Sequence, residues 1–203
     1  PPGEYDEAAI RWVVAQLETV PEKLDFRVIH GPTGSGKSRL LDALRKAGAQ
    51  VLDLEELAAH RGSVLGNLPD RSQPTQKWFE SQLLAALSAL DPARPVFVEG
   101  ESKKVGQLQV PEALIARMRA SPCVRIEAPL EVRVTLLLDE YRHFLSDRPL
   151  LEGQLDCLVS LHGREKIGAW KQLAAQRQWR EFVARLLAEH YDPAYRRSSL
   201  NNF

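Results

Sequence analysis

The chain has 203 residues, of which 44% are hydrophobic and 27% charged, and its 27 basic and 27 acidic residues give a formal net charge of zero. That balance suits one α/β domain with a proper core and excludes nucleic-acid binding through overall charge alone. No apolar run approaches the length of a membrane span, and no signal peptide is visible.

In chain order, Tyr5 to Val20 reads as an amphipathic helix with Ile10, Val13, Val14 and Leu17 at helical spacing, stopped by Pro21. Phe26 to His30 reads as a buried strand, Ser38 to Ala47 as a helix ended by Gly48, and Gln50 to Leu54 as a second strand followed by a helical turn through Leu57. His60 to Ser72 is a polar loop, and Pro74 opens a helix to about Leu90. Pro95 to Glu99 has the β-branched, apolar character of a central parallel strand. It ends in a loop from Gly100 to Gly106. Pro111 to Ala120 is a helix, Cys123 to Glu127 the fourth strand, and Pro129 to Leu145 one long helix. The remainder is helical, in two pieces, Gly163 to Gln176 and Gln178 to His190.

The expected organisation is a linker helix (1–25) packing on a domain of residues 26–195, with a loose polar tail at 196–203. The start Pro1-Pro2-Gly3, without a methionine, is expected of a piece of a longer protein or of a trimmed chain. Cys123 and Cys157 sit in apolar surroundings without CxxC spacing, which predicts buried, reduced thiols and a cytoplasmic location. Residues 1–101 carry 11 Lys+Arg against 15 Asp+Glu, and residues 102–203 carry 16 against 12. Chance accounts for such a split; the sharper reading is a basic face built by the C-terminal half.

Gly31-Pro32-Thr33-Gly34-Ser35-Gly36-Lys37-Ser38 fills every fixed position of the phosphate-binding pattern G-x-x-x-x-G-K-[ST]. Glycines let the backbone curl so that successive N–H groups meet one anion. Lys37 adds a cation, and the Ser38 hydroxyl is a candidate Mg²⁺ ligand. Strand, loop and helix follow in the order that also brings the anion to a helix N-terminus. The expected fold is therefore α/β: a P-loop NTPase-like parallel sheet with helices on both faces and a helical C-terminal part. Gly31, Thr33, Gly34, Ser35, Gly36, Lys37, Ser38 and Arg39 form the candidate cofactor-binding set.

A phosphate loop usually works with an acidic residue at the end of a neighbouring strand. Glu99 and Glu101 stand there, spaced so that one faces the site while the other turns away; a solvated strand end is the alternative. Asp53 is a further candidate, or else the cap of the next helix. His60, Arg61, Lys103, Lys104, Arg133, Arg142 and Arg148 lie near strand ends or in a segment, 131–148, reminiscent of the lid helices of small kinases; a solvated helix face explains such arginines equally. Gln73 and Gln76 offer amides to a base or ribose edge, or simply polarity at a helix start. Of the adjacent Trp78 and Phe79 only one faces the core, leaving the other half-exposed and able to stack.

Taken together these blocks resemble a family. The phosphate loop, then Val51-Leu52-Asp53-Leu54-Glu55, His60-Arg61-Gly62-Ser63, Gln73-Pro74-Thr75-Gln76 with Phe79-Glu80, Glu99-Gly100-Glu101-Ser102 with Gly106, and Tyr191-Asp192-Pro193 with Tyr195 are similar in order and spacing to tRNA 2-selenouridine synthase, from about Tyr5 to Tyr195. Gly100 and Ser38 stand where other residues are also accepted. The resemblance implies a bacterial transferase acting on the wobble uridine in the anticodon region of certain tRNAs. It implies exchange of the sulfur of 2-thiouridine for selenium from selenophosphate, and attachment of a geranyl group from geranyl diphosphate with the S-geranyl species as intermediate. The family's N-terminal rhodanese-like domain, whose cysteine carries the sulfur and selenium chemistry, has no counterpart here, and neither Cys123 nor Cys157 lies in a rhodanese-type loop. The chain resembles the C-terminal P-loop part, with the rhodanese-like domain expected in cis or in trans and no membrane partner.

On this reading the loop holds the diphosphate of the prenyl donor, beside an apolar groove for which Val64, Leu65 and Leu68 are candidates. The candidate catalytic set is Lys37, Glu99, Glu101, His60 and Arg61. The candidate substrate-binding set is Asp53, Gly62, Ser63, Gln73, Gln76, Ser102, Lys103, Lys104, Arg133 and Arg142. Two alternatives share the same residues: an ATP-dependent small-molecule or nucleoside kinase, and a non-catalytic module that presents tRNA to the rhodanese cysteine.

Overall fold

The computed structural model describes residues 6–63, 66–68, 70–100 and 103–202. They divide into two compact units, the first holding residues 6–30 and 37–125, the second residues 31–36 and 126–201.

The first unit opens with α1 (Glu7–Thr19), capped by the Asp6 carboxylate, which accepts from the Ala8 N–H at 3.0 Å. Pro21 turns its end into a 3₁₀ segment, Val20–Lys23. Leu17 is buried, but Val14, expected on the same stripe, is exposed. Then come β1 (Phe26–His30), α2 (Lys37–Lys46), β2 (Gln50–Leu52), α3 (Leu54–Ala58), α4 (Gln76–Ser88) and β3 (Val96–Glu99). After them follow β4 (Lys104–Val105), β5 (Leu108–Gln109), α5 (Glu112–Arg119) and β6 (Cys123–Arg125).

The four long-range strands form a parallel sheet in the order β2-β3-β1-β6. Phe26, Val28, Val96 and Val98 on the inner strands are fully buried against Leu17 of α1, Phe79 and Leu83 of α4, and Leu114 and Met118 of α5. Each such side chain contributes about 1.5–3 kcal/mol by leaving water. The connection from β1 runs to β2 on one side and that from β3 to β6 on the other. The carboxyl ends of β1 and β3 therefore flank the switch point where open α/β sheets bind ligands.

Two expectations change here. The stretch from Gly100 to Gly106, read as a plain loop, contributes to an antiparallel hairpin of β4 and β5 with Val105 paired to Leu108. Its turn needs Gly106, whose φ is +61° and whose place a Cβ would put 2.2 Å from the Gln73 amide oxygen. Cys123 and Cys157, expected to be buried, are both free and exposed. Cys123 lies on β6, the outer strand, whose three residues are all exposed. Cys157 follows the last turn of α8 (Arg148–Asp156).

The second unit is helical: α6 (Leu130–Glu140), α7 (Arg142–Ser146), α8, α9 (Val159–His162), α10 (Arg164–Ala175), α11 (Trp179–Leu186), a π-helical segment Leu187–Tyr191, and α12 (Asp192–Asn202). The single helix expected over 129–145 breaks at Tyr141, which leaves helical geometry at φ −106° and ψ 26°. Asp147 caps α8 by accepting from the Leu150 N–H at 3.0 Å, and Pro149 sits in the first turn, where its missing N–H costs nothing. Leu151, Leu155, Ile167, Trp170, Phe182 and Leu187 are buried in this unit. Among the described residues no helix is long and apolar enough to cross a membrane.

Gly106→Ala forces a Cβ into the Gln73 amide at a positive φ. It is expected to cost about 1–3 kcal/mol in urea unfolding and to speed hydrogen exchange at Lys104 and Gln109.

Candidate phosphate-binding site

Parallel pairing sets Ile29 of β1 opposite Glu99 of β3, so the carboxylate stands beside the strand that feeds the glycine-rich loop. Lys37 opens α2, and its ammonium lies 3.4 Å from Glu99 Oε1. The Ser38 hydroxyl donates to Glu99 Oε2 at 3.5 Å. Burial pushes the Glu99 carboxyl up, while the Lys37 charge and the Ser38 hydroxyl pull it back and Asp53 adds to the rise. The result is a buried Lys37–Glu99 pair, in which an incoming anion would have to compete with Glu99 for the Lys37 ammonium.

His30, the last residue of β1, is a group that none of the sequence motifs nominates. It is buried, and burial together with Lys37 and Arg125 holds it below the usual histidine range, so it is neutral near pH 7. Its signal in the sequence is its position directly before Gly31.

The other candidates of the first unit divide by what their polar atoms do. His60 is buried and held neutral by that burial, and its Nδ1 accepts from the Gly62 N–H at 3.1 Å. Its ring braces a loop closed by Arg61 N–H to Gly66 O at 2.9 Å and Gly66 N–H to Ser63 O at 2.8 Å. Asp53 caps α3, accepting from the Glu56 N–H at 2.9 Å, with Arg45 3.5 Å from its other oxygen. The Gln73 amide donates to Ala58 O and Val105 O at 3.2 and 2.9 Å and accepts from Gln107 N–H at 2.8 Å. Gln76 donates to Glu80 and to Gln109 O and accepts from Gln109 N–H. Both amides therefore clasp the β4–β5 hairpin. Phe79 is fully buried and Trp78 is 48% exposed, the division expected of that pair. Lys103 pairs with Glu112 at 2.9 Å, and Lys104 and Arg39 are exposed. Leu68 bridges to Arg71. Glu101, Ser102, Val64 and Leu65 lie outside the described residues.

A cleft of about 580 Å³ in this unit is walled by α1, α4 and the β5–α5 connection, with Glu18, Glu80 and Glu112 in its lining and no residue of the loop. Three carboxylates disfavour a diphosphate there.

In the second unit, Gly31–Gly36 is shaped by a turn in which the Ser35 N–H donates to Pro32 O at 3.1 Å. Gly34 and Gly36 have φ of +77° and +89°, and a Cβ on Gly34 would lie 2.9 Å from Leu137 Cγ. The Ser35 hydroxyl is buried without a hydrogen-bond partner. Arg133 of α6 is buried and donates to Thr33 O at 2.9 Å and to both oxygens of Asp192. Arg142 is exposed and pairs with Asp139. His162 Nε2 and His190 Nδ1 are 2.9 Å apart, His190 being buried in the π-helical segment.

A parallel sheet whose first strand runs into G-x-x-x-x-G-K-S and whose neighbouring strand ends in a carboxylate defines a P-loop α/β protein. Residues 24–154 match the family described as tRNA 2-selenouridine synthase AAA domain. The chain belongs to that family. It is 34% identical over 221 residues to a tRNA 2-selenouridine synthase of Shewanella loihica, covering 95% of this chain and 58% of that one. To the protein of the same name from Bdellovibrio bacteriovorus it is 37% identical over 140 residues, covering 66% and 36%. To that of Alcanivorax borkumensis it is 33% identical over 221 residues, covering 95% and 59%. The chain thus spans well under two thirds of the length of these relatives. No solved structure matches it.

Buried His190, paired with the half-buried His162, sets a pH dependence. Burial, with His162 and Arg197 nearby, pushes His190 down to about 4 from an ordinary 6.5. Between those values the unfolded chain binds a proton that the folded chain does not, so stability falls as pH drops from about 6.5 to about 4. His190→Gln is expected to flatten the pH slope of the urea midpoint in that window.

Proposed function

We propose that this chain is the donor-binding part of a tRNA-modifying enzyme, in which Gly31–Ser38 holds the diphosphate of geranyl diphosphate while the sulfur of a wobble 2-thiouridine attacks. The observation that carries the reading is the Lys37–Glu99–Ser38 cluster at the switch point of the sheet, in a chain whose relatives are named tRNA 2-selenouridine synthase. In the transfer a bond forms between sulfur and C1 of the geranyl chain, and the C1–O bond breaks. Its electron pair leaves on the diphosphate, and the nucleoside proton passes to solvent. The S-geranyl nucleoside is the intermediate on the way to 2-selenouridine, with selenophosphate as the selenium donor.

The chemical demand is charge stabilisation on the leaving diphosphate. Loop N–H groups and the Lys37 ammonium supply it without nucleotide hydrolysis. Ser38 and Glu99 fit a Mg²⁺ that draws its other ligands from phosphate and water, since among the described residues no group of three or more His, Cys, Asp or Glu forms a metal cage. Such an ion neutralises diphosphate charge when bound. Exposed Lys103, Lys104 and Trp78, with Arg61, are the candidates for tRNA contact. A rhodanese-like domain in cis or in trans supplies the sulfur and selenium chemistry, in the cytoplasm. ATP-dependent phosphotransfer is the second reading, because the same lysine, hydroxyl and carboxylate suit a Mg²⁺-nucleotide.

Mass spectrometry of an anticodon stem-loop bearing 2-thiouridine, incubated with the protein and geranyl diphosphate without ATP, is expected to show the S-geranyl product. Lys37→Ala should slow its formation at least about a hundredfold. A strict requirement for ATP overturns the reading. Glu99→Gln removes the carboxylate that competes for Lys37. It is expected to tighten inorganic diphosphate binding without Mg²⁺ and to abolish the gain that Mg²⁺ gives, as read by calorimetry.

A further inference from the structure

We infer that Arg133 and Asp192 are positioning residues that hold the phosphate loop in its anion-binding form. The inference rests on the reading of Gly31–Ser38 as an anion cradle and adds two residues to it that touch no ligand.

The Ser35 N–H to Pro32 O bond closes a four-residue turn with Thr33 and Gly34 at its centre. Gly34, with φ +77°, occupies the position that demands a positive φ in a type II turn. Type I and type II turns differ by a flip of the central peptide, here Thr33–Gly34. A trans peptide is planar, with its C=O and N–H pointing in opposite directions. Whatever fixes the Thr33 carbonyl therefore fixes the Gly34 N–H. Arg133 Nε donates to that carbonyl at 2.9 Å and draws it toward α6, which leaves the Gly34 N–H directed away from α6.

The guanidinium is itself held. Nη1 and Nη2 donate to Asp192 Oδ2 and Oδ1 at 3.1 and 2.5 Å, a bidentate fork that sets the plane of the group and so the aim of Nε. The Arg133 side chain is 8% exposed and that of Asp192 22%. Asp192 follows directly on the π-helical segment Leu187–Tyr191, a rare geometry that shifts the register of the chain ahead of it. Arg133, expected to meet substrate oxygens, has these donors engaged inside the protein. Lysine has no equivalent of this arrangement, because an ammonium cannot both fork to a carboxylate and aim a third flat donor.

The test uses inorganic diphosphate as the probe, with affinity from calorimetry and the Gly34 amide signal from NMR of the full chain. Removing one partner of a buried pair risks unfolding, whereas replacing both with apolar residues of similar size is often neutral for stability. Arg133→Met/Asp192→Leu is therefore the main variant and Arg133→Lys the second. If the competent turn falls to a tenth of the population, affinity falls about tenfold. Folded variants with at least that loss, and a Gly34 signal that no longer shifts with diphosphate, support the inference. Either variant folded with wild-type affinity and a wild-type Gly34 shift overturns it. Absence of diphosphate binding by the unaltered protein sinks the cradle reading itself, a separate outcome. Arg148→Gln, on an exposed pair with Glu152, serves as the control.

Discussion

The pairing of β1 with β3 is the constraint on which the first unit turns. Because Ile29 stands opposite Glu99, the acidic end of β3 lies beside the strand that launches the phosphate loop. A shift of one residue would turn Glu99 to the other face of the sheet. The register is enforced by Val28 and Val98, both fully buried, so the core and the site are specified by the same alternation. Lys37 and Glu99 then meet in a place where water screens them little, and there burial raises the Glu99 carboxyl while the Lys37 charge opposes the rise.

Several residues that chemistry nominated have architectural partners within the fold. Gln73 and Gln76 have the donors and acceptors of base-reading amides, and each engages them with backbone groups of the hairpin and with one further partner, Ala58 O and the Glu80 carboxylate respectively. His60 has a ring nitrogen tied to the Gly62 N–H. Asp53 caps α3, one of the two roles its position allowed. The blocks that make the family recognisable therefore include fold-defining residues.

Much of this was legible from the sequence because it depended on local pattern. The strand Phe26–His30, the phosphate loop and the burial of only one of Trp78 and Phe79 follow from apolar runs, glycine spacing and helical periodicity. The parallel sheet follows from alternation of strands and helices. What was not legible depended on distant partners. The hairpin at β4–β5 is two residues per strand and is held by side chains some thirty positions away. The Arg133–Asp192 fork joins residues 59 apart, and an arginine on a helix looks the same in sequence whether it faces solvent or a carbonyl. Asp147 and Pro149 are a readable start for α8, but the break at Tyr141 lies a short helix earlier and carries no proline or glycine to announce it.

The measurement closest to the central claim is a direct calorimetric titration of the protein with geranyl diphosphate and, separately, with ATP in Mg²⁺. The account predicts binding of geranyl diphosphate that inorganic diphosphate displaces, with ATP weaker and not hydrolysed. Tight ATP binding with hydrolysis, and no binding of the prenyl diphosphate, would contradict it.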